Sequence, residues 1–187
     1  MHSRRKFIKQ GIIGAASIGT VASAISCQAT EKATKSVRKP IVISTWDFGV
    51  AANQAAWEIL KKKGRALDAV EAGVKIPEAD LKNVTVGKGG YPDRDGHVTL
   101  DACIMDELGN CGSVAAMEDI AHPISVARLV MEKTPHVMLV GDGARQFALE
   151  NGFQAENLLT PSSEEAWKEW LKEKNYKPVM NIENKSF

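Results

Sequence analysis

A chain of 187 residues favours a single domain and is long enough to bury a real core. Its 24 basic and 23 acidic side chains leave a formal charge of only +1, so no general attraction to nucleic acid or acidic lipid follows. The hydrophobic share of 44% suits a globular protein and excludes a disordered chain or a membrane-embedded bundle.

The first 27 residues read as a targeting segment. Ser3-Arg4-Arg5-Lys6-Phe7 resembles a twin-arginine export signal, and a mildly apolar run from Gly11 to Ile25 follows it. That run is too short and too rich in Gly, Ala and Ser for a spanning helix. Ala24-Ile25-Ser26-Cys27 resembles a bacterial lipobox, which implies lipidation of Cys27 and a membrane anchor. Ordinary cleavage nearby, with Cys27 lost or left free, is the alternative. Either way the expectation is export to the periplasm. Residues 28–39 lack apolar periodicity and read as a flexible tether. The folded domain is expected over 40–187.

Ile41 to Trp46 is a β-branched run after a proline and predicts a buried strand. Asn53 to Lys62 carries apolar residues at helical spacing, with Gly64 as its stop. Ala66 to Ile76 is a second helix with Leu67, Val70 and Val74 on one face, and Pro77 near its end. Leu81 to Gly96 reads as a glycine-rich loop. Val98 to Met105 and Cys111 to Met117 form a predicted hairpin. Pro123 opens a helix to about Lys133. His136 to Val140 is a strand, and Gly141-Asp142-Gly143 turns it into a helix from Ala144 to Glu150. Ser162 or Ser163 is the expected cap of a last helix, with Ala166, Trp167, Trp170 and Leu171 on its apolar face. Strands alternate with helices but include a hairpin, so the class is α/β of a mixed, layered kind.

The motifs favour structural readings. Gly87-Lys88-Gly89-Gly90 lacks the Lys-Ser/Thr of a phosphate loop and the spacing of a dinucleotide fingerprint, so it reads as a turn needing positive φ or close packing. Gly141-Asp142-Gly143 reads as a tight strand-to-helix turn rather than an anion site. His97, His122 and His136 have no metal-ligand spacing, and no Gly-x-Ser-x-Gly is present. Asp93, Asp95, Asp101 and Asp106 do not match a calcium loop. Cys103 and Cys111 flank a short turn. Each reads as a small buried hydrophobe, with a bridge across the hairpin as the alternative. Trp46, at a strand's carboxyl end, is either packing or ligand-facing.

Several segments together resemble glycosylasparaginases, a family of N-terminal-nucleophile hydrolases. They are Pro40 to Trp46, Gly64 to Gly73, Val86 to Gly96, Val98 to Asp106, Pro123 to Arg128 and His136 to Ala144, in order. The related isoaspartyl peptidases and plant-type asparaginases share parts of the pattern. The resemblance implies one half of a four-layer αββα sandwich, the α-subunit-like N-terminal portion of a self-cleaving precursor. It implies a threonine nucleophile that uses its own α-amine as base, and a substrate in which N-acetylglucosamine is linked to asparagine. Trp46 matches the family's strand-end tryptophan beside that nucleophile and is the expected substrate-binding residue. In the family an Asn-Ile-Glu-Asn run precedes His-Asp-Thr. Here Asn181 to Asn184 is followed by Lys185-Ser186-Phe187, so the nucleophile is expected beyond Phe187 and no catalytic residue is expected within the chain. A β-subunit-like half is the expected partner, and no cofactor, metal or nucleic acid is expected. The rival expectations are an isoaspartyl peptidase or asparaginase, and a non-catalytic exported binding lipoprotein.

Overall fold

The computed structural model describes residues 40–174. The export signal, Cys27, the tether and the Lys185-Ser186 junction lie outside the described residues.

Two helices come first, α1 over Gly49–Leu60 and α2 over Ala66–Ala79. They pack as a hairpin. The chain leaves α1 through Lys63, whose φ of +62° is left-handed, and Gly64 N–H donates back to the Ile59 carbonyl at 3.0 Å. The helix stop expected at Gly64 is thus made by the pair, with the unusual φ on the lysine. α2 runs through Pro77 to Ala79, three residues further than expected, with Pro77 in its last turn. Its expected inner face is corrected at one position: Leu67 is buried, but Val70 is half exposed.

Next comes a three-stranded sheet in the order β1 (Leu100–Met105), β2 (Cys111–Met117), β3 (Met138–Val140). β1 and β2 are antiparallel, and β3 joins β2 in parallel after the crossover helix α3 (Pro123–Lys133). Helix α4 (Gly141–Glu150) follows β3 directly, and α5 (Pro161–Lys174) ends the described chain. No described helix is long and apolar enough to cross a membrane.

Alternation decides which face of the sheet is covered. Leu100, Ala102 and Ile104 stand opposite Met117, Val114 and Gly112, and this face packs under α3 and α4. Val126, Ala127, Val130, Ala144 and Ala148 complete a core that is fully out of water. Gly112 lets α3 come this close: a Cβ there would lie 2.2 Å from the Ala127 carbonyl oxygen and 2.6 Å from Met131 N. The register slips by one residue between Leu100 and Ala102, and Ala116 takes φ +48° in the bulge. Asp101 Oδ1 accepts the freed Ala116 N–H at 2.7 Å.

The opposite face carries Cys103, Met105, Met138 and Val140, which are exposed, and Ser113, which is buried and donates its hydroxyl to the Val137 carbonyl at 2.8 Å. Met105 is 64%, Met138 52% and Val140 55% exposed. Cys103 is therefore an exposed residue and not the small buried hydrophobe expected. Its partner across the ladder is Ser113 while Cys111 faces Met105, so the two thiols are diagonal and free.

Two further expectations are corrected. Ile41 to Trp46 is not a strand: the segment is irregular, and Ile43 is exposed, because no strand stands beside it among the described residues to complete a ladder. The last helix is capped by Thr160, not by Ser162 or Ser163. Thr160 Oγ1 accepts Ser163 N–H at 3.3 Å, with Pro161 in the first helical position.

Candidate active site

A cleft of about 980 Å³ opens between the helical hairpin and strand β1. One wall is the turn from Ser44 to Gly49, a second is the end of α2 at Pro77 and Glu78, and a third is the loop from Asn83 to Gly87. The floor is β1 at Asp101 and Cys103, with Pro123 and Ile124 closing one side.

Trp46 stands at the mouth, 68% exposed. It belongs to a turn into α1 rather than to a strand end: its carbonyl accepts Gly49 N–H at 2.9 Å, and Asp47 Oδ1 accepts Phe48 N–H at 2.9 Å. A large aromatic left that open has little packing role among the described residues.

The glycine-rich loop is a wall and not a phosphate cradle. Lys88 N–H donates to the Glu78 carbonyl at 2.8 Å, Gly89 N–H to Leu158 at 3.0 Å, Gly90 N–H to Gly87 at 3.1 Å and Tyr91 N–H to Val84 at 3.0 Å. A phosphate would need those donors free. Gly87 has φ +65°, and a Cβ on it would lie 2.2 Å from the Glu78 carbonyl oxygen, so the glycine serves both conformation and close approach.

The acidic residues noted in the sequence are also structural. Asp93 Oδ1 accepts the amides of Asp95 and His97, each at 2.9 Å. Asp106 holds the hairpin turn through Leu108 N, Asn110 N and Asn110 Nδ2, each at 2.9 Å. Its carboxyl sits below the ordinary value, first because of the Asn110 side-chain amide. His97 lies beside Glu118 at 3.1 Å, which raises its pKa.

Glu78 escaped the sequence reading. Its side chain is 4% exposed, its Oε1 accepts Ile124 N–H at 3.1 Å, and its Oε2 lies 3.1 Å from His122 Nδ1. Burial pushes its pKa up to about 8, and burial likewise lowers that of His122. The signal was present: Leu67, Val74 and Glu78 are seven and four residues apart, which puts a carboxyl on the buried stripe of α2. Asn83 is also buried in this wall. Its Oδ1 accepts Thr85 N–H at 3.0 Å and Thr85 Oγ–H at 2.6 Å, while its Nδ2 has no partner among the described residues.

No hydroxyl or thiol lining the cleft touches a histidine, lysine or free amine among the described residues. Thr85 Oγ1 is spent on Asn83, and Ser44 Oγ on Asn53. The arrangement can shape and orient a ligand, but it presents no activated nucleophile.

The described residues thus form a mixed α/β layer with an open cleft beside β1. Residues 11–186 match the family model Asparaginase_2, described as asparaginase, and the chain belongs to that family. It is 59% identical over 183 residues to an N(4)-(beta-N-acetylglucosaminyl)-L-asparaginase of Elizabethkingia miricola, covering 98% of this chain and 54% of the relative. Proteins of the same name from Mus musculus and Rattus norvegicus are each 45% identical over 133 residues, covering 71% of this chain and 38% of theirs. The chain spans about half, or less, of the length of these relatives.

Proposed function

We propose that this chain forms the α-subunit-like half of an amidohydrolase that cleaves the bond between N-acetylglucosamine and asparagine, releasing aspartate. The reading is carried by one observation: a large cleft with an exposed tryptophan at its mouth and no activated nucleophile among its described lining. The cleft lies beside an uncovered, apolar sheet face. A second, β-subunit-like layer packed on that face would complete an αββα sandwich and bring a threonine to the cleft. That threonine would attack the amide carbon with its hydroxyl, its own α-amine taking the proton and passing it to the nitrogen of the departing amino sugar as the C–N bond breaks; water then hydrolyses the resulting aspartyl ester and frees aspartate. Trp46 would pack against the substrate at the mouth. The relatives' name supplies the substrate class, and their greater length supplies room for the second layer. Export through the Arg4-Arg5 signal, with Cys27 as lipid anchor, belongs to the same reading.

The test is to combine the chain with the second half of the Elizabethkingia miricola relative and offer three substrates side by side. Aspartate release from N4-(β-N-acetylglucosaminyl)-L-asparagine should exceed release from β-aspartyl dipeptides and free asparagine. Preference for either of the latter would move the chain to the isoaspartyl peptidase or asparaginase reading.

A further inference from the structure

We propose that Glu78 and His122 form a neutral, hydrogen-bonded pair that holds three walls of the cleft in register. The geometry places one side chain at a three-way junction. Glu78 ends α2, and its own carbonyl accepts Lys88 N–H from the glycine-rich loop at 2.8 Å. Its carboxyl accepts Ile124 N–H from the first turn of α3 at 3.1 Å. Its second oxygen meets His122 Nδ1, just before that helix, at 3.1 Å. The backbone of Gly87 lies directly against the Glu78 backbone, with no room for a methyl group between them.

The charge state follows from the surroundings. The carboxyl is almost wholly removed from water, and its charged neighbours, Lys75 and Glu71 on α2, act in opposite directions on it. Around His122, Lys75 and Lys88 oppose Glu71 and Glu156, and Lys88 and Glu156 are paired with each other. No net charge is therefore supplied to stabilise an ion at the junction. Burial raises the acid and lowers the base, so both favour the uncharged form. Glu78 then donates its O–H to His122 Nδ1 through Oε2 and accepts the Ile124 N–H at Oε1, while His122 carries its proton on Nε2. Every polar atom of the carboxyl is satisfied in this state. Removing the proton leaves a carboxylate, and His122 then keeps the bond only by shifting its own proton from Nε2 to Nδ1, which reverses the direction of donation.

Glu78 is thus a positioning residue. It acts on the cleft through Ile124 and Gly87, both of which line it. The pair is a property of these walls and does not depend on which amide is cleaved there.

The test is an NMR titration of the full chain with 13C-labelled glutamate carboxyls and 15N-labelled histidine, together with Glu78→Gln. The glutamine side-chain amide reproduces the donor and acceptor of the protonated acid. The Glu78 carboxyl should titrate with a midpoint near 8, and the amides of Ile124 and Lys88 should shift with the same midpoint. His122 Nδ1 should show the 15N shift of an unprotonated nitrogen at pH 7. In the Glu78→Gln chain the shared midpoint should vanish from both amides. A Glu78 midpoint below 6, a protonated Nδ1 at pH 7, or amides that ignore the transition would each overturn the proposal, and all three are read on the unaltered chain.

Discussion

Replacing Gly87 with alanine would put a methyl carbon 2.2 Å from the Glu78 carbonyl oxygen, in a backbone already at φ +65°. Both faults act together, so Gly87→Ala should cost about 3 kcal/mol or more in a urea melt. Gly112→Val should cost a similar amount by pushing α3 off the sheet, roughly 2–3 kcal/mol. Trp46 is the counter-case. Two-thirds exposed, it should be removable to alanine within about 0.5 kcal/mol of the parent stability, while the assembled enzyme loses affinity for substrate. Glu78 gives the chain a pH dependence. Its folded pKa, about 8, lies above the ordinary 4.5, so the folded state holds the proton more tightly. Its contribution is complete below pH 4.5, declines as pH rises, and is gone above about pH 8. Within that window the slope is at most about 1.4 kcal/mol per pH unit. Thermal melts across it should show the decline in the parent and its loss in Glu78→Gln. His122 acts in the opposite sense, losing stability as pH falls below its ordinary 6.5. At this scale the loop glycines were legible in the sequence, because positive φ and close backbone approach leave few alternatives to glycine. Glu78 showed only through its place on the buried stripe of α2, and its partner Ile124, 46 positions away, was not legible; Asn83 carried no such signal.

Elements were legible where a local signal bounded them. Pro123 opened α3 at the expected residue, and the hairpin strand expected from Cys111 to Met117 matched β2 from end to end. They were misread where partners decide. The β-branched run from Ile41 has strand propensity but no neighbouring strand among the described residues, and propensity alone makes no ladder. The last helix was given the wrong cap because Thr160, Ser162 and Ser163 all have the chemistry, and Pro161 settles it only once its place at the first helical position is seen. Thr160→Ala should cost about 1 kcal/mol. The joint between α2 and α3 is polar. Arg128 reaches Asp68 and Glu71 at 2.7 Å and Glu132 at 2.8 Å, while Ser125 Oγ donates to the other Glu71 oxygen. Burial alone would lower the guanidinium's pKa, but its hydrogen bonds to Glu132, Asp68 and Glu71 outweigh that and raise it. Arg128→Leu should cost about 1–3 kcal/mol, since it strands half-buried carboxylates, and adding Glu71→Gln should recover part of the loss.

For the whole molecule, the layered α/β class was legible in the order of elements, but the uncovered face was not. Alternation says that each strand has two sides, and only the packing shows which side α3 and α4 take. Met105, Met138 and Val140 expose apolar side chains on one sheet face, a surface suited to association. The chain alone should therefore sediment as oligomers, and Met105→Lys with Met138→Lys should return it to a monomer with little change in melting temperature. In the proposed enzyme those same substitutions should block assembly with the second half. The central claim is a division of labour, in which this chain supplies the walls of an amidase site and a second layer supplies its nucleophile. Aspartate release from N4-(β-N-acetylglucosaminyl)-L-asparagine tests it most directly, measured with the chain alone and with increasing amounts of the relative's second half. The expected result is no release alone and a rise that saturates as the second half is added. Release by the chain alone, or silence from a mixture shown to be assembled on the open face, would contradict it.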